Sequence, residues 1–342
     1  MHRRTALSAM AATALLAVTG CSADSTAATK DGTTTVTLAL DWTPNTNHTG
    51  IYVAQAKGWF KAAGINVKIL PYGSTAPETL IANHKADFGI SYQEGVTTAR
   101  AAGQDITSVY AVTQKTDVTI AVRADRHDIT SPKDLDGKTY AGFGAPYEKP
   151  LLRRVIQNAG GKGEFKQVTL NTSAYAALYA GQADFAMPMP TWEGLEAKLK
   201  GKSLKNFQLS DYGFPAIYST LIASSDQFLR KNPEVARKFL TAVDKGYRYA
   251  AEHPDQAADL LITANRSVLT NTELVKESER LLAKEYYKGA DGSIGTQSAA
   301  RWQAFADFEY TAGLLVDANG KKLTATPKAS TFFTNAYLPD AK

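Results

Sequence analysis

The segment Lys85-Ala86-Asp87-Phe88-Gly89-Ile90 returns later in the chain as Gln182-Ala183-Asp184-Phe185-Ala186-Met187. Three shared residues mean little alone, but the elements around each copy follow one order. Before the first copy, residues 36–42 form a short apolar run of strand type, 43–48 a polar loop and 50–63 a helical pattern. Asn47 is placed to cap that helix and Gly64 to end it. Residues 65–70 read as a second strand, 78–83 as a short helix and 86–92 as a third strand. Around the second copy the order repeats, with strands at 139–143, 165–170 and 184–187 and helices at 149–158 and 174–180. Strands alternating with helices through short connections imply a parallel sheet with right-handed crossovers. A duplicated unit of this kind implies a two-lobed α/β protein.

Two further strand-like segments, 118–122 and 219–223, stand where the chain would cross between the lobes. Lobe 1 is then 35–122 with 219–342, and lobe 2 is 123–218. From Asp226 on the pattern is mainly helical, with Asn232-Pro233 and His253-Pro254 as helix starts. Val235, Phe239, Val243 and Tyr247 make one apolar face, expected to pack back on lobe 1. A two-lobed body with paired crossings resembles the periplasmic binding protein type 2 fold, whose interlobe ligand cleft closes like a hinge.

The first residues read as targeting rather than fold. Arg3 and Arg4 precede an apolar run at 6–18, too short to span a bilayer comfortably, which ends in Val18-Thr19-Gly20-Cys21. Small residues before a cysteine and a Ser/Thr/Ala tail after it resemble a bacterial lipoprotein signal. That implies a signal peptide at 1–20, a lipidated Cys21, a flexible linker at 21–34 and an exported protein anchored to the outer face of the cell membrane. The alternative is an ordinary cleaved signal with an incidental cysteine. Cys21 is the only cysteine, so the body has no internal disulfide, cysteine-based zinc site or thiol nucleophile. Without Arg3 and Arg4 the net charge of +5 falls to +3, and no basic stripe supports nucleic-acid binding. The mixed stretch 198–205 reads as a solvated turn.

In open α/β sheets ligands bind beyond the carboxyl ends of the strands. In lobe 1 those ends supply Asp41, Trp42, Asn45, Asn47 and His48, then Tyr92, Gln93 and Glu94. Lobe 2 supplies Phe143, Tyr147, Glu148, Met189, Trp192 and Glu193, with Tyr212 and Tyr218 just before the second crossing. The set is aromatic and acidic and contains no arginine, which disfavours sulfonate, nitrate or phosphate. Flat aromatics with a few carboxylates suit a flat, nitrogen-rich ligand that donates hydrogen bonds. From the pattern alone, Trp42 also fits a core residue and Glu94 and Glu193 also fit solvated loop acids. Glu148, in a Gly/Pro-rich loop facing the cleft, is expected to meet the ligand opposite Trp42. No nucleophile elbow, phosphate loop or paired metal-ligand histidines occur, so no metal or cofactor is expected.

The run Leu40-Asp41-Trp42-Thr43-Pro44-Asn45-Thr46-Asn47-His48-Thr49-Gly50, followed by Lys57-Gly58-Trp59-Phe60, resembles the opening of the ThiY-type binding proteins. These serve ABC importers of thiamin pyrimidine precursors. Segments at 87–95, Tyr147-Glu148, Trp192-Glu193 and 211–215 look similar to later blocks of that family. The resemblance implies a hydroxymethyl- or formylaminomethyl-pyrimidine held between aromatic rings, with ABC permease and ATPase subunits as partners and a monomeric binding protein. It carries over Trp42, Asn45, Tyr92, Glu148 and Trp192 as contacts, with Asn47, His48, Glu193 and Tyr212 beside them. Pyrimidine synthases of the same superfamily carry a cysteine-rich block and a histidine soon after the stretch matching Ala86-Asp87-Phe88-Gly89. This chain has neither, which argues for binding over synthesis. Met187-Pro188-Met189-Pro190 departs from the family pattern, so another small nitrogenous or organic solute, of the nitrate, sulfonate or taurine kind, stays open.

Overall fold

The computed structural model describes residues 33–116, 118–145 and 147–339. The signal segment, Cys21 and the linker up to residue 32 lie outside the described residues. The chain opens with Thr34–Ala39 (β1), Thr49–Ala56 (α1), Trp59–Ala62 (α2), Ile65–Leu70 (β2), Pro77–Ala82 (α3), Phe88–Tyr92 (β3), Gln93–Ala101 (α4) and Thr107–Ala111 (β4). A second body follows from Thr119–Arg123 (β5), Thr139–Gly142 (β6), Glu148–Asn158 (α5), Lys166–Thr169 (β7), Ala174–Ala180 (α6), Phe185–Ala186 (β8), Leu195–Leu199 (α7) and Leu204–Gln208 (β9). Thr220–Ser224 (β10) returns to the first sheet, before Asp226–Lys231 (α8), Pro233–Glu252 (α9), Pro254–Ala264 (α10), Thr272–Glu285 (α11) and Ala299–Thr311 (α12).

Both sheets have five strands in one plan, β2-β1-β3-β10-β4 and β7-β6-β8-β5-β9. The repeated Ala-Asp-Phe explains part of that likeness. Asp87 accepts hydrogen bonds from the backbone N–H (2.7 Å) and hydroxyl (2.8 Å) of Thr37 in β1. Asp184 accepts from the N–H of Thr139 in β6 at 2.8 Å. In each lobe the aspartate just before the third strand thus ties that strand to the first, while Phe88 and Phe185 sink into the core behind it.

The sheets are mixed rather than purely parallel. β10 runs antiparallel to β3 and β4, and β5 antiparallel to β8 and β9. A chain arriving from the other lobe enters where the parallel strands end, as the pairing of Thr220 with Tyr92 shows, so it must run back down the sheet. β9 begins inside the stretch expected to be a solvated turn. Its polar sequence has little apolar pattern, but β5, buried over Thr119 to Val122, offers it a complete ladder. The helix expected over 50–63 is two pieces, broken where Gly58 adopts a left-handed φ of 71°. The cap lies earlier than Asn47: Asn45 and His48 form a reciprocal capping box on a short 3-10 turn.

Alternation along β10 divides the first core. Ile222 joins Phe88, Ile51, Phe239 and Tyr247 on one face, while Leu221 and Ala223 join Val96, Trp302 and Phe332 on the other. On the first face α1 and α9 cross at two glycines, and a Cβ on Gly246 would stand 1.9 Å from the Gly50 carbonyl oxygen. In the second lobe Ile120, Val122, Tyr140 and Phe185 pack on Leu152, Val155 and Ile156 of α5. α12 belongs to both lobes: Trp302 and Ala306 enter the first core and Phe305 the second.

Candidate functional site

Between the sheets lies a cavity of about 780 Å³. All six parallel strands open into it. β1 and β3 deliver Trp42 and Tyr92, β6 and β8 deliver Phe143 and Met187, and β2 and β7 deliver Tyr72 and Asn171. Tyr72 and Asn171 were missed in the sequence, where only the ends of each lobe's first and third strands were read; the same rule applied to the second strands finds both. One wall is a run of rings. Trp42 lies 5.0 Å from Tyr72 and 5.3 Å from Phe143, and Phe143 lies 5.6 Å from Tyr175, between centroids.

The loop after β1 is held from several sides. Asn45 Oδ1 accepts from the Asn47 N–H at 2.9 Å, and the Asn45 N–H donates to His48 Nδ1 at 3.3 Å. Since that nitrogen accepts, Nε2 carries the proton it donates to Asp41 Oδ1 at 2.8 Å. The Tyr92 hydroxyl donates to the other oxygen of Asp41. From the tail helices, Tyr247 donates to the Asn47 carbonyl at 2.7 Å, and Glu279 accepts from Thr49 at 2.5 Å and from Tyr287 at 2.9 Å. Burial raises the Glu279 carboxyl to about 8, against the pull of those two donors. The tail thus braces the binding loop.

Seven of the nine residues singled out in the sequence line the cavity: Trp42, Asn45, Asn47, Tyr92, Glu148, Trp192 and Glu193. His48 and Tyr212 do not. His48 is fully buried behind Asp41, whose carboxylate it orients. Tyr212 packs at the edge of the second core, and its carbonyl accepts from Asn158 at 2.8 Å. Tyr218 also lies in the core, its hydroxyl accepting from the Ser298 N–H. Trp192 sits on a π-helical turn at Pro190–Gly194 and reaches across to the lobe 1 cluster around Tyr52, Ala258 and Leu261.

Glu148 has a different environment from the one expected. Its two oxygens accept from the N–H groups of Phe143 and Gly144, each at 3.0 Å, and Tyr140 adds a hydrogen bond. It is 1% exposed, and burial lifts its carboxyl above the usual range against those donors. Its acceptors are occupied by the loop that carries Phe143, because a helix-start carboxylate lies within reach of the amides just before it. Glu193 is likewise engaged, accepting from Met189 N–H at 3.0 Å. Glu94 is not the solvated acid its position suggested. α4 starts directly at the end of β3, so Glu94 is buried in its first turn, and burial raises its carboxyl to about 7.

Asp41, Glu78, Glu94, Glu148 and Glu193 line the cavity, and among the described residues no Lys, Arg or His does. Nor, among those residues, do three His, Cys, Asp or Glu side chains gather to hold a metal. The surface offers π-faces and carboxyl oxygens and, among the described residues, no cation to meet an anion.

The family model described as NMT1/THI5 like matches residues 45–257. A formylaminopyrimidine-binding protein of Halalkalibacterium halodurans is 30% identical over 298 residues, covering 85% of this chain and 88% of that one. A 4-amino-5-hydroxymethyl-2-methylpyrimidine phosphate synthase of Legionella pneumophila is 27% identical over 241 residues, 69% of this chain and 75% of that one. Among solved structures, the alkanesulfonate-binding protein of Xanthomonas axonopodis pv. citri bound to MOPS superposes with a TM-score of 0.63 at 16% identity, over 82% of this chain and 94% of that one. That likeness identifies the fold as that of the periplasmic binding proteins.

Proposed function

Since this chain belongs to the NMT1/THI5-like family, we propose that it is the solute-binding component of an ABC importer for an aminopyrimidine of the thiamin-precursor type. The observation that carries this reading is the cavity lining, which among the described residues has four aromatic rings in a row, five carboxyl groups and no Lys, Arg or His. A flat ring with exocyclic amino groups matches those surfaces: its π-face lies on the aromatic wall and its N–H groups meet acceptors. A sulfonate would face five acids without one cation, so the shared fold does not carry the sulfonate specificity with it. In this reading 35–122 with 219–342 and 123–218 act as the two closing lobes, and a lipid on Cys21 tethers the protein outside the membrane beside its permease.

Binding rather than synthesis is supported by the absence of cysteine after Cys21 and of histidine from the described cavity wall. A thermal-shift screen of the mature domain tests the reading. A ligand that binds only the folded state raises the melting temperature by mass action. Hydroxymethyl- and formylaminomethyl-aminopyrimidines should raise it, while alkanesulfonates and nitrate leave it unchanged. A shift from sulfonates alone, or turnover of a pyrimidine precursor, overturns the proposal.

A further inference from the structure

Trp192 lines the cavity, but its ring also reaches out of it. It packs against a lobe 1 cluster made of Tyr52 in α1, Ala258 and Leu261 in α10, Leu269 beyond α10 and Val275 in α11. All five are buried, and none of them is among the residues that line the cavity, so this seat is built outside it. On the lobe 2 side the ring stands on a fixed platform. The Tyr179 hydroxyl donates to the Glu193 carbonyl at 2.9 Å, and the Met189 N–H donates to the Glu193 carboxylate at 3.0 Å. The platform is the π-helical turn Pro190–Gly194, a rare conformation that is frequent at functional sites.

The helix under the seat also reaches the binding loop. The π-helical turn and α7 both lie against α11. Val275, Ser278 and Glu279 share one face of α11, by the spacing of a helical turn. Val275 belongs to the seat, Ser278 shares a 2.6 Å hydrogen bond with the cavity residue Thr46, and Glu279 accepts from Thr49. One lobe 1 helix thus holds both the Trp192 ring of lobe 2 and the loop that carries Asn45 and Asn47. We propose that Trp192 is a latch between the lobes. Seated on lobe 1, its ring holds the cleft closed, and α11 ties that closure to the binding loop.

A two-lobed protein closes when the closed form has contacts that the open form lacks. Trp42 and Phe143 make one such contact inside the cavity. The latch is another outside it, and it exists whatever solute fills the cavity, so it does not rest on the pyrimidine reading. An indole carries a large apolar surface, and seating it raises the fraction of molecules closed before a ligand arrives. Apparent affinity scales with that fraction. Trp192 is on this account a positioning residue, and losing its seat weakens binding even when nothing in the cavity changes.

Small-angle scattering on the unliganded mature protein tests the latch without any ligand. Wild type should have a smaller radius of gyration than Trp192→Ala, with Val275→Ala between them and Trp192→Phe close to wild type. Titration calorimetry with the formylaminomethyl-pyrimidine supplies a second arm. Trp192→Ala should bind about tenfold more weakly, and Val275→Ala, which trims the seat outside the cavity, about threefold. In the double variant Val275→Ala should add nothing, because the ring it would seat is gone. The unliganded melting temperature checks that each variant folds. Identical scattering of wild type and Trp192→Ala overturns the latch. So does weakened binding by Trp192→Ala beside unchanged binding by Val275→Ala, which would make the ring a ligand contact alone. If the pyrimidine does not bind wild type, the pyrimidine reading fails, while scattering still decides the latch.

Discussion

The indole of Trp42 and the ring of Phe143 meet at 86°, 5.3 Å between centroids, and they come from different sheets. The contact closes the aromatic wall across the cleft. Trp42 follows β1 in a loop braced by the tail helices, while Phe143 follows β6 and is fixed through its N–H by Glu148. Neither ring belongs to a main core, so each can be changed at little cost to the fold. Trp42→Ala and Phe143→Ala should each weaken ligand binding by about ten- to a hundredfold, the scale of a lost aromatic pair plus buried area. Unliganded melting should change by only a few degrees. A large fall in melting temperature would recast the two rings as core.

Glu148 predicts the opposite pairing of effects. Glu148→Gln has one carbonyl oxygen for two backbone donors, so one of the Phe143 and Gly144 amides loses its partner. An unsatisfied buried donor costs about 1–3 kcal/mol. Stability and affinity should therefore fall together, in contrast to Trp42→Ala. Unchanged melting with weakened binding would return Glu148 to the role of direct ligand reader.

Gly246 tests the packing that holds the tail to the binding lobe. A methyl group there would meet the carbonyl of Gly50 at 1.9 Å, backbone against backbone, where no side chain can swing away. Gly246→Ala should destabilise by about 1–3 kcal/mol or more, as overpacking does. Chemical denaturation measures it. A neutral result would mean that α1 and α9 separate without loss.

Much of this was legible in the sequence. The Ala-Asp-Phe echo marked the third strand of each lobe because the same aspartate clamp is needed twice. The second-strand limits Ile65–Leu70 matched fully, since an edge strand that alternates buried Ile65 and Val67 with exposed Asn66 and Lys68 leaves a sharp period-two signal. What escaped depends on contacts far apart in the chain. Nothing local shows that His48 turns its imidazole inward to Asp41, or that Glu148 folds back on its own loop. The polar strand β9 exists because β5 lies beside it. α12 joins both cores through residues one turn apart, a division of labour that helical periodicity cannot assign.

Buried acids make stability depend on pH in a stated direction. Glu279 is raised to about 8 and Glu94 to about 7, both by burial, from an ordinary value near 4.5. A raised folded value favours the protonated, folded state. That contribution is therefore complete below about pH 4.5 and lost as pH rises through about 7 to 8. On the acid side, Asp134, Asp184 and Asp226 are held below the usual range by hydrogen bonds from neighbouring backbone and side-chain groups, against the upward push of burial. Their contribution is present above about pH 4 and lost as pH falls through the depressed values. The melting temperature should peak near pH 5, decline to about pH 8 and level off above it. Glu279→Gln should flatten the decline between about pH 5 and 8; an unchanged slope would show that Glu279 is not responsible.

The central claim is that the cleft takes a neutral or cationic aminopyrimidine and rejects anions. Titration calorimetry of the mature domain with the formylaminomethyl-pyrimidine and with an alkanesulfonate, side by side, addresses it directly. The account predicts saturable one-to-one binding of the pyrimidine and no heat of binding from the sulfonate. Saturable binding of the sulfonate with none of the pyrimidine would contradict it.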